Sequence, residues 1–111
     1  MEPAPLNLHT ERVDDTARVA VSGDIDHTNY RLLIGEATAL LAAPRPRLLE
    51  LDFAAVSFCA SAGLNALVQI YHRATALKVP VRLVNVRQRQ SDILAMTELG
   101  PLFDWPPGSG R

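Results

Sequence analysis

Arg47-Leu48-Leu49-Glu50-Leu51-Asp52-Phe53-Ala54-Ala55-Val56-Ser57-Phe58-Cys59-Ala60-Ser61-Ala62-Gly63-Leu64 is the stretch on which the fold turns. Arg47 to Leu51 lies between Pro46 and Asp52, too short a run for a helix, and Leu48, Leu49 and Leu51 suit a strand inside a sheet. Phe53 to Ala60 reads as a loop leaving the carboxyl end of that central strand. From Ser61 to about Ala76, Leu64, Leu67, Val68 and Tyr71 fall on one helical face, and Pro80 marks the end of the helix.

Upstream, Leu6 to Val13 and Thr16 to Ser22 flank Asp14-Asp15 and predict an opening β-hairpin, with Ala17, Val19 and Val21 alternating against Arg18, Ala20 and Ser22. Gly23-Asp24-Ile25-Asp26 breaks that alternation. Thr28 or Asn29 can cap a helix in which Tyr30, Leu33, Ala37, Leu40 and Leu41 recur at helical spacing, stopped by Pro44 and Pro46. Downstream, Val81 to Val86 predicts a β-branched strand, and Ile93, Leu94, Met96 and Leu99 a last helical stretch ended by Gly100-Pro101. The order ββαβαβα implies crossover connections between parallel strands, hence one α/β domain with a mixed sheet of four to five strands and helices packed on it.

The whole is 111 residues, room for a single domain, and its 48% hydrophobic and 21% charged content is that of a chain able to bury a core. Residues 1–5 and 105–111, rich in Pro and Gly, read as flexible tails around a domain at 6–104. A net charge of -1 argues against nucleic-acid binding, and Arg82, Arg87 and Arg89 read as a solvated strand end and loop. A single cysteine, Cys59, rules out an internal disulfide and any multi-cysteine metal site, so no metal and no cofactor is expected. The start Met1-Glu2-Pro3-Ala4-Pro5 resembles no signal peptide, and no apolar run approaches the ~20 residues that cross a bilayer, so a cytoplasmic monomer is expected, with no membrane partner.

Ser61 opens a helix at the carboxyl edge of the sheet, the usual binding edge of α/β folds. Two readings apply to it. It is an N-cap, or it is an acceptor whose phosphate would meet unpaired helix N–H groups and the positive end of the macrodipole. Gly63, inside the first turn, signals close packing or the approach of a partner; Asp26 reads as a cap for the helix that follows or as a partner contact, and Asp52 as the end of a strand hydrogen-bonding its own loop.

The segment Leu49 to Leu64 resembles the signature of the STAS family, named for sulfate transporters and anti-sigma antagonists, in which a strand ending in Asp leads to Asp-Ser-Ser-Gly-Leu at a helix start. Gly23-Asp24-Ile25-Asp26 resembles the family's Gly-Glu-Leu-Asp turn, and with Thr97-Glu98-Leu99-Gly100 the resemblance runs from Leu6 to about Phe103. With no accompanying membrane span, it points to the free-standing anti-sigma factor antagonists. That resemblance implies a non-enzymatic regulator that captures an anti-sigma factor with ATP-dependent serine kinase activity and releases a sigma factor. It implies phosphorylation at Ser61, reversal by a phosphoserine phosphatase, and a partner surface of Asp24, Asp26, Phe58, Ala60, Ser61, Ala62, Gly63, Leu64 and Asn65. Ala60 stands where the family has Asp and Ala62 where it has a second Ser, which leaves open a scaffold that binds without a switch.

Enzymes are the competing class. Cys59 lacks the Arg six residues on that a cysteine phosphatase needs, Asn65 standing there, and Ser61 lacks the preceding Gly of a nucleophile elbow. Asp52 as a receiver-type phosphoryl acceptor lacks the acidic pair near the end of a first strand.

Overall fold

The computed structural model describes residues 5–42, 44–59 and 61–86, and the expected last helix around 93–99 lies outside them. Four strands and two helices follow one another as β1 (Asn7–Val13), β2 (Thr16–Ile25), α1 (Tyr30–Ala42), β3 (Leu48–Cys59), α2 (Ser61–Ala76) and β4 (Val81–Val84). The sheet order is β1-β2-β3-β4. β1 and β2 form the expected antiparallel hairpin across Asp14-Asp15, with Asp14 at φ 56°, a left-handed conformation that Asp tolerates. β2, β3 and β4 are mutually parallel, each pair joined through a helix, so the sheet is mixed and the fold is α/β.

Burial alternates strictly along β2, where Ala17, Val19, Val21 and Ile25 are buried. On β3 Leu49, Leu51 and Phe53 are buried, and on β4 Val81 and Leu83. These side chains and those of Leu33, Ala37, Leu41, Leu67, Ile70 and Ala74 make one core between the sheet and the two helices, which pack against each other.

Three local expectations are corrected. β3 does not end at Leu51: it continues to Cys59, so Phe53 to Cys59 is strand and not loop. β2 likewise runs through Gly23-Asp24-Ile25, with bulges between Ala20 and Ser22 and between Gly23 and Asp24, and Gly23 takes φ 90°, which glycine adopts without steric cost. The cause is common to both. The two extensions pair with each other, Asp24 opposite Phe58 and Ile25 opposite Cys59, and this tertiary pairing overrides local turn propensity.

The third correction concerns helix faces. On α2 the fully buried line is Gly63, Ala66, Leu67, Ile70 and Ala74, while Leu64, Val68 and Tyr71 sit half-buried at its margin. Small residues let the helix lie close to its neighbours, and a reading weighted by large apolar side chains is rotated away from them. α1 buries Leu33, Ile34, Ala37 and Leu41, with Tyr30 and Leu40 packed at the rim. α2 ends ahead of Pro80: Lys78 at φ 60° closes it, its N–H donating to the Thr75 carbonyl at 3.0 Å and that of Val79 to the Ala74 carbonyl at 2.9 Å, the pattern of a Schellman cap.

On the sheet face opposite the core, charges are paired across strands. Arg18 of β2 donates to the Asp52 carboxylate at 2.8 Å and lies 3.9 Å from Glu50, which is also 3.9 Å from Arg82 of β4. Asp52 further accepts from the Ala54 N–H at 2.9 Å and from Asn85 Nδ2 at 3.0 Å. Partial burial opposes its charge, but the bonds from Ala54, Asn85 and Arg18 outweigh that and hold its pKa below the ordinary 3.8. A depressed carboxylate stabilises the fold above its ordinary pKa, and the contribution is lost as pH falls through the folded-state value. In urea titrations Asp52→Asn is expected to cost about 1–3 kcal/mol near neutrality and to flatten the loss of stability on acidification. Parallel pH profiles for variant and wild type would reject this role.

Candidate functional site

The carboxyl ends of β2 and β3 lie side by side, which brings two segments distant in sequence to one edge of the sheet. The turn after β2 is tied down by its own side chains. Asp26 Oδ1 accepts from the Thr28 N–H at 2.9 Å and the Thr28 hydroxyl at 2.6 Å, and the Asp26 N–H donates to Asn29 Oδ1 at 2.9 Å. Asn29 Nδ2 reaches back to the Asp24 carbonyl at 2.9 Å, while the Tyr30 N–H donates to the Asp26 carbonyl at 3.0 Å. Thr28 and Asn29 therefore fasten the turn to the strand end rather than capping later helix N–H groups. The hydroxyl of Thr28, followed by its N–H, holds the Asp26 carboxyl below its ordinary pKa, so it is ionised at neutral pH.

Next to this turn, β3 ends at Cys59 and α2 begins at Ser61, which is exposed. Ser61 is thus the first helical residue, as the sequence predicts. α2 runs for 16 residues with no acidic residue in its first turn, so no carboxylate of its own competes for its unpaired N–H groups and positive dipole end. Ala62 and Leu64 are half-buried and Asn65 is exposed, its Oδ1 accepting from Gln69 Nε2 at 3.4 Å. Gly63 is buried on the line that faces the core, which favours the packing role over direct partner access. Phe58 is placed by its backbone pairing with Asp24, and Ala60 lies outside the described residues.

Residues 8–103 match the family model described as Mlab, STAS domain. The chain belongs to the STAS-domain family. An anti-sigma factor antagonist from Mycobacterium paratuberculosis is 26% identical, over 93% of this chain and 86% of its own, with a TM-score of 0.78. The antagonist SpoIIAA in its unphosphorylated form is 16% identical over 92% of this chain and 90% of its own, at a TM-score of 0.76. The phosphorylated form of the Bacillus cell fate determinant SpoIIAA gives 16%, 92%, 93% and 0.71. At 16% identity these last two STAS structures establish the fold alone.

For the enzyme readings, the decisive placement is that of Asp52. It lies in mid-strand, not after the strand, and its carboxylate is engaged by Arg18, Asn85 and Ala54, an arrangement that locks a structural carboxylate rather than presenting an acceptor. Cys59 is the last residue of β3, paired through its backbone with Ile25. Among the described residues no three His, Cys, Asp or Glu side chains converge on a point that would hold a metal ion, and no helix is long and apolar enough to cross a membrane. The Arg18, Asp52 and Asn85 cluster escaped the sequence reading because it joins β2, β3 and the residue just past the end of β4, and no local pattern reveals the register that brings them together.

Proposed function

We propose that this STAS domain is a cytoplasmic, monomeric anti-sigma factor antagonist: it binds an anti-sigma factor that is also an ATP-dependent serine kinase, releases a sigma factor, and is switched off by phosphorylation at Ser61. The observation that carries this reading is an exposed Ser61 at the start of α2, on the same sheet edge as the end of β2 and the Asp26 turn that follows it. Asp24, Asp26, Phe58, Ala60, Ser61, Ala62, Gly63, Leu64 and Asn65 make up the proposed partner-binding segments. The likeness to an antagonist 26% identical over most of both chains supports it, as does a fold solved in one relative in unphosphorylated and phosphorylated forms.

In the transfer step Ser61 Oγ attacks the γ-phosphorus of ATP held by the partner, the Oγ–P bond forms, the bond to the β-phosphate oxygen breaks, and ADP leaves. The hydroxyl proton passes to a base of the kinase or to solvent. The chain itself supplies the acceptor and no catalytic group. A phosphate so placed is stabilised by the N-terminal N–H groups of α2. A phosphoserine phosphatase would reset the site.

Ala60 and Ala62 favour a second reading, a scaffold that binds partners without a switch. The two are separated by incubating the chain with its co-purifying partner and ATP and locating phosphate by mass spectrometry. Incorporation at Ser61, abolished in Ser61→Ala, is expected. Restoring the family's carboxylate with Ala60→Asp is expected to speed incorporation about 100-fold, the low end of the effect of one positioned acid–base group. A bound, ATP-competent partner that leaves Ser61 unmodified supports the scaffold instead.

A further inference from the structure

Between α1 and α2 runs a furrow of about 580 Å³ that begins at Tyr30 and Arg31, at the start of α1, and is lined further along by Gly35, Thr38, Gln69 and Arg73. A second hollow shares Thr38 and Arg73 and extends it to Arg45 and Leu77. Three arginines therefore stand along one groove, and no acidic side chain lines it. On the opposite sheet face, by contrast, Arg18 and Arg82 are matched with Glu50 and Asp52. Among the described residues, Arg31, Arg45 and Arg73 make no ion pair: Arg31 lies against Tyr30, its guanidinium 5.7 Å from the ring centre, and Arg45 donates to the Leu77 carbonyl at 3.3 Å.

The sequence around the groove has the same bias. No Asp or Glu occurs between Glu36 and Glu50, nor from Phe53 to Ser91, in a chain whose net charge is -1. The positive sign of the groove is thus local. Half-buried Leu77 and exposed Ala39, Ala42 and Ala76 supply apolar surface between the cations, and Gly35 opens the wall, since a Cβ there would meet nothing within 4 Å.

We propose that this furrow docks an acidic, partly apolar segment of a protein partner, at a surface distinct from Ser61. The 13 residues of α1 extend over about 20 Å, with Arg31 in its first turn and Arg45 beyond its end at Ala42, so these two cations stand far apart. A compact phosphate can meet only donors that converge within about 3 Å of its oxygens. Carboxylates spaced along a peptide can meet each cation in turn, with apolar side chains settling between them. A concave groove likewise favours a chain segment over the flat headgroup surface of a bilayer. The furrow does not depend on the switch at Ser61, and either one stands if the other fails.

The probe is a fluorescein-labelled peptide of about twelve residues in which pairs of glutamates alternate with single leucines, titrated at low ionic strength, where exposed charges are least screened. Binding is expected to shift the backbone amides of Thr38 and Gln69. It is expected to weaken at least tenfold when the glutamates are replaced by glutamine, in the Arg31→Gln/Arg73→Gln double variant, and in Gly35→Leu. Gly35→Leu replaces an exposed helical glycine with a better helix former, so its loss of binding cannot be put down to unfolding. Ser61→Asp is expected to bind the peptide as wild type does. No binding, binding indifferent to these substitutions, or amide shifts confined to the Ser61 edge would overturn the proposal. So would inorganic tripolyphosphate or phosphatidylglycerol vesicles engaging the arginines where the peptide does not.

Discussion

Phe53→Ala is expected to destabilise the domain by about 3–5 kcal/mol, the range for emptying a buried aromatic site. Phe53 is only 1% exposed and is the largest of the fully buried side chains among the described residues, set in β3 where the sheet meets the core. Natural domains of this size hold roughly 5–15 kcal/mol in all, so the loss is a large share of total stability. Urea denaturation followed by far-UV circular dichroism measures it. The neighbouring Ala54 and Ala55 are exposed, and Ala55→Thr is expected to change stability by less than about 0.5 kcal/mol. That contrast separates a strand from the loop that the local sequence suggests. Equal, small effects at Phe53 and Ala55 would mean that this segment is not held in the sheet.

The second large effect is expected at Ser61. A phosphate there adds about -1.5 to -2 charges at neutral pH, and in a docked complex that charge must shed its hydration or face the partner unpaired. Within the free domain the α2 N-terminus stabilises the same charge, so phosphorylation is expected to leave the fold intact and act at the interface. An affinity loss of at least about 100-fold, or roughly 2.7 kcal/mol, is expected for the phosphorylated chain. Ser61→Asp is expected to follow it in direction, and Ser61→Ala to bind as the unphosphorylated chain does. Amide exchange on the complex is expected to protect the Gly23 to Asp26 and Phe58 to Asn65 segments, whereas protection confined to the opposite sheet edge would place the interface elsewhere.

Particular residues show how far the sequence could be read. Ala17, Val19 and Val21 alternate cleanly, because β2 has one face in the core and one toward solvent, and period two is then visible in the residues themselves. Ser61 was legible as a helix start because the apolar period changes there and the surrounding motif is specific. Phe53 was not. Its segment carries Ala54-Ala55 and Ser57, which look like loop, and only the pairing of Ala55 to Cys59 with Ser22 to Ile25 makes it strand. Gly63, Ala66 and Ala74 were invisible as a helix face because their value lies in what they leave out, the bulk that would hold α2 away from the core.

The charge pattern was half legible. The run from Phe53 to Ser91 without an acidic residue can be counted from the chain, but that Arg31, Arg45 and Arg73 share a furrow requires α1 and α2 to lie side by side. Arg18 and Arg82 belong to the same composition and have the opposite fate, being matched with Glu50 and Asp52 on the sheet.

The central claim is that Ser61 is the switch of a partner-binding surface. It is tested most directly by measuring, by calorimetry, the affinity of the proposed anti-sigma factor kinase partner for the unphosphorylated chain, the Ser61-phosphorylated chain, Ser61→Ala and Ser61→Asp. Tight binding of the first and third, with the phosphorylated chain at least about 100-fold weaker and Ser61→Asp weakened in the same direction, is the predicted result. Equal affinities for all four would contradict it.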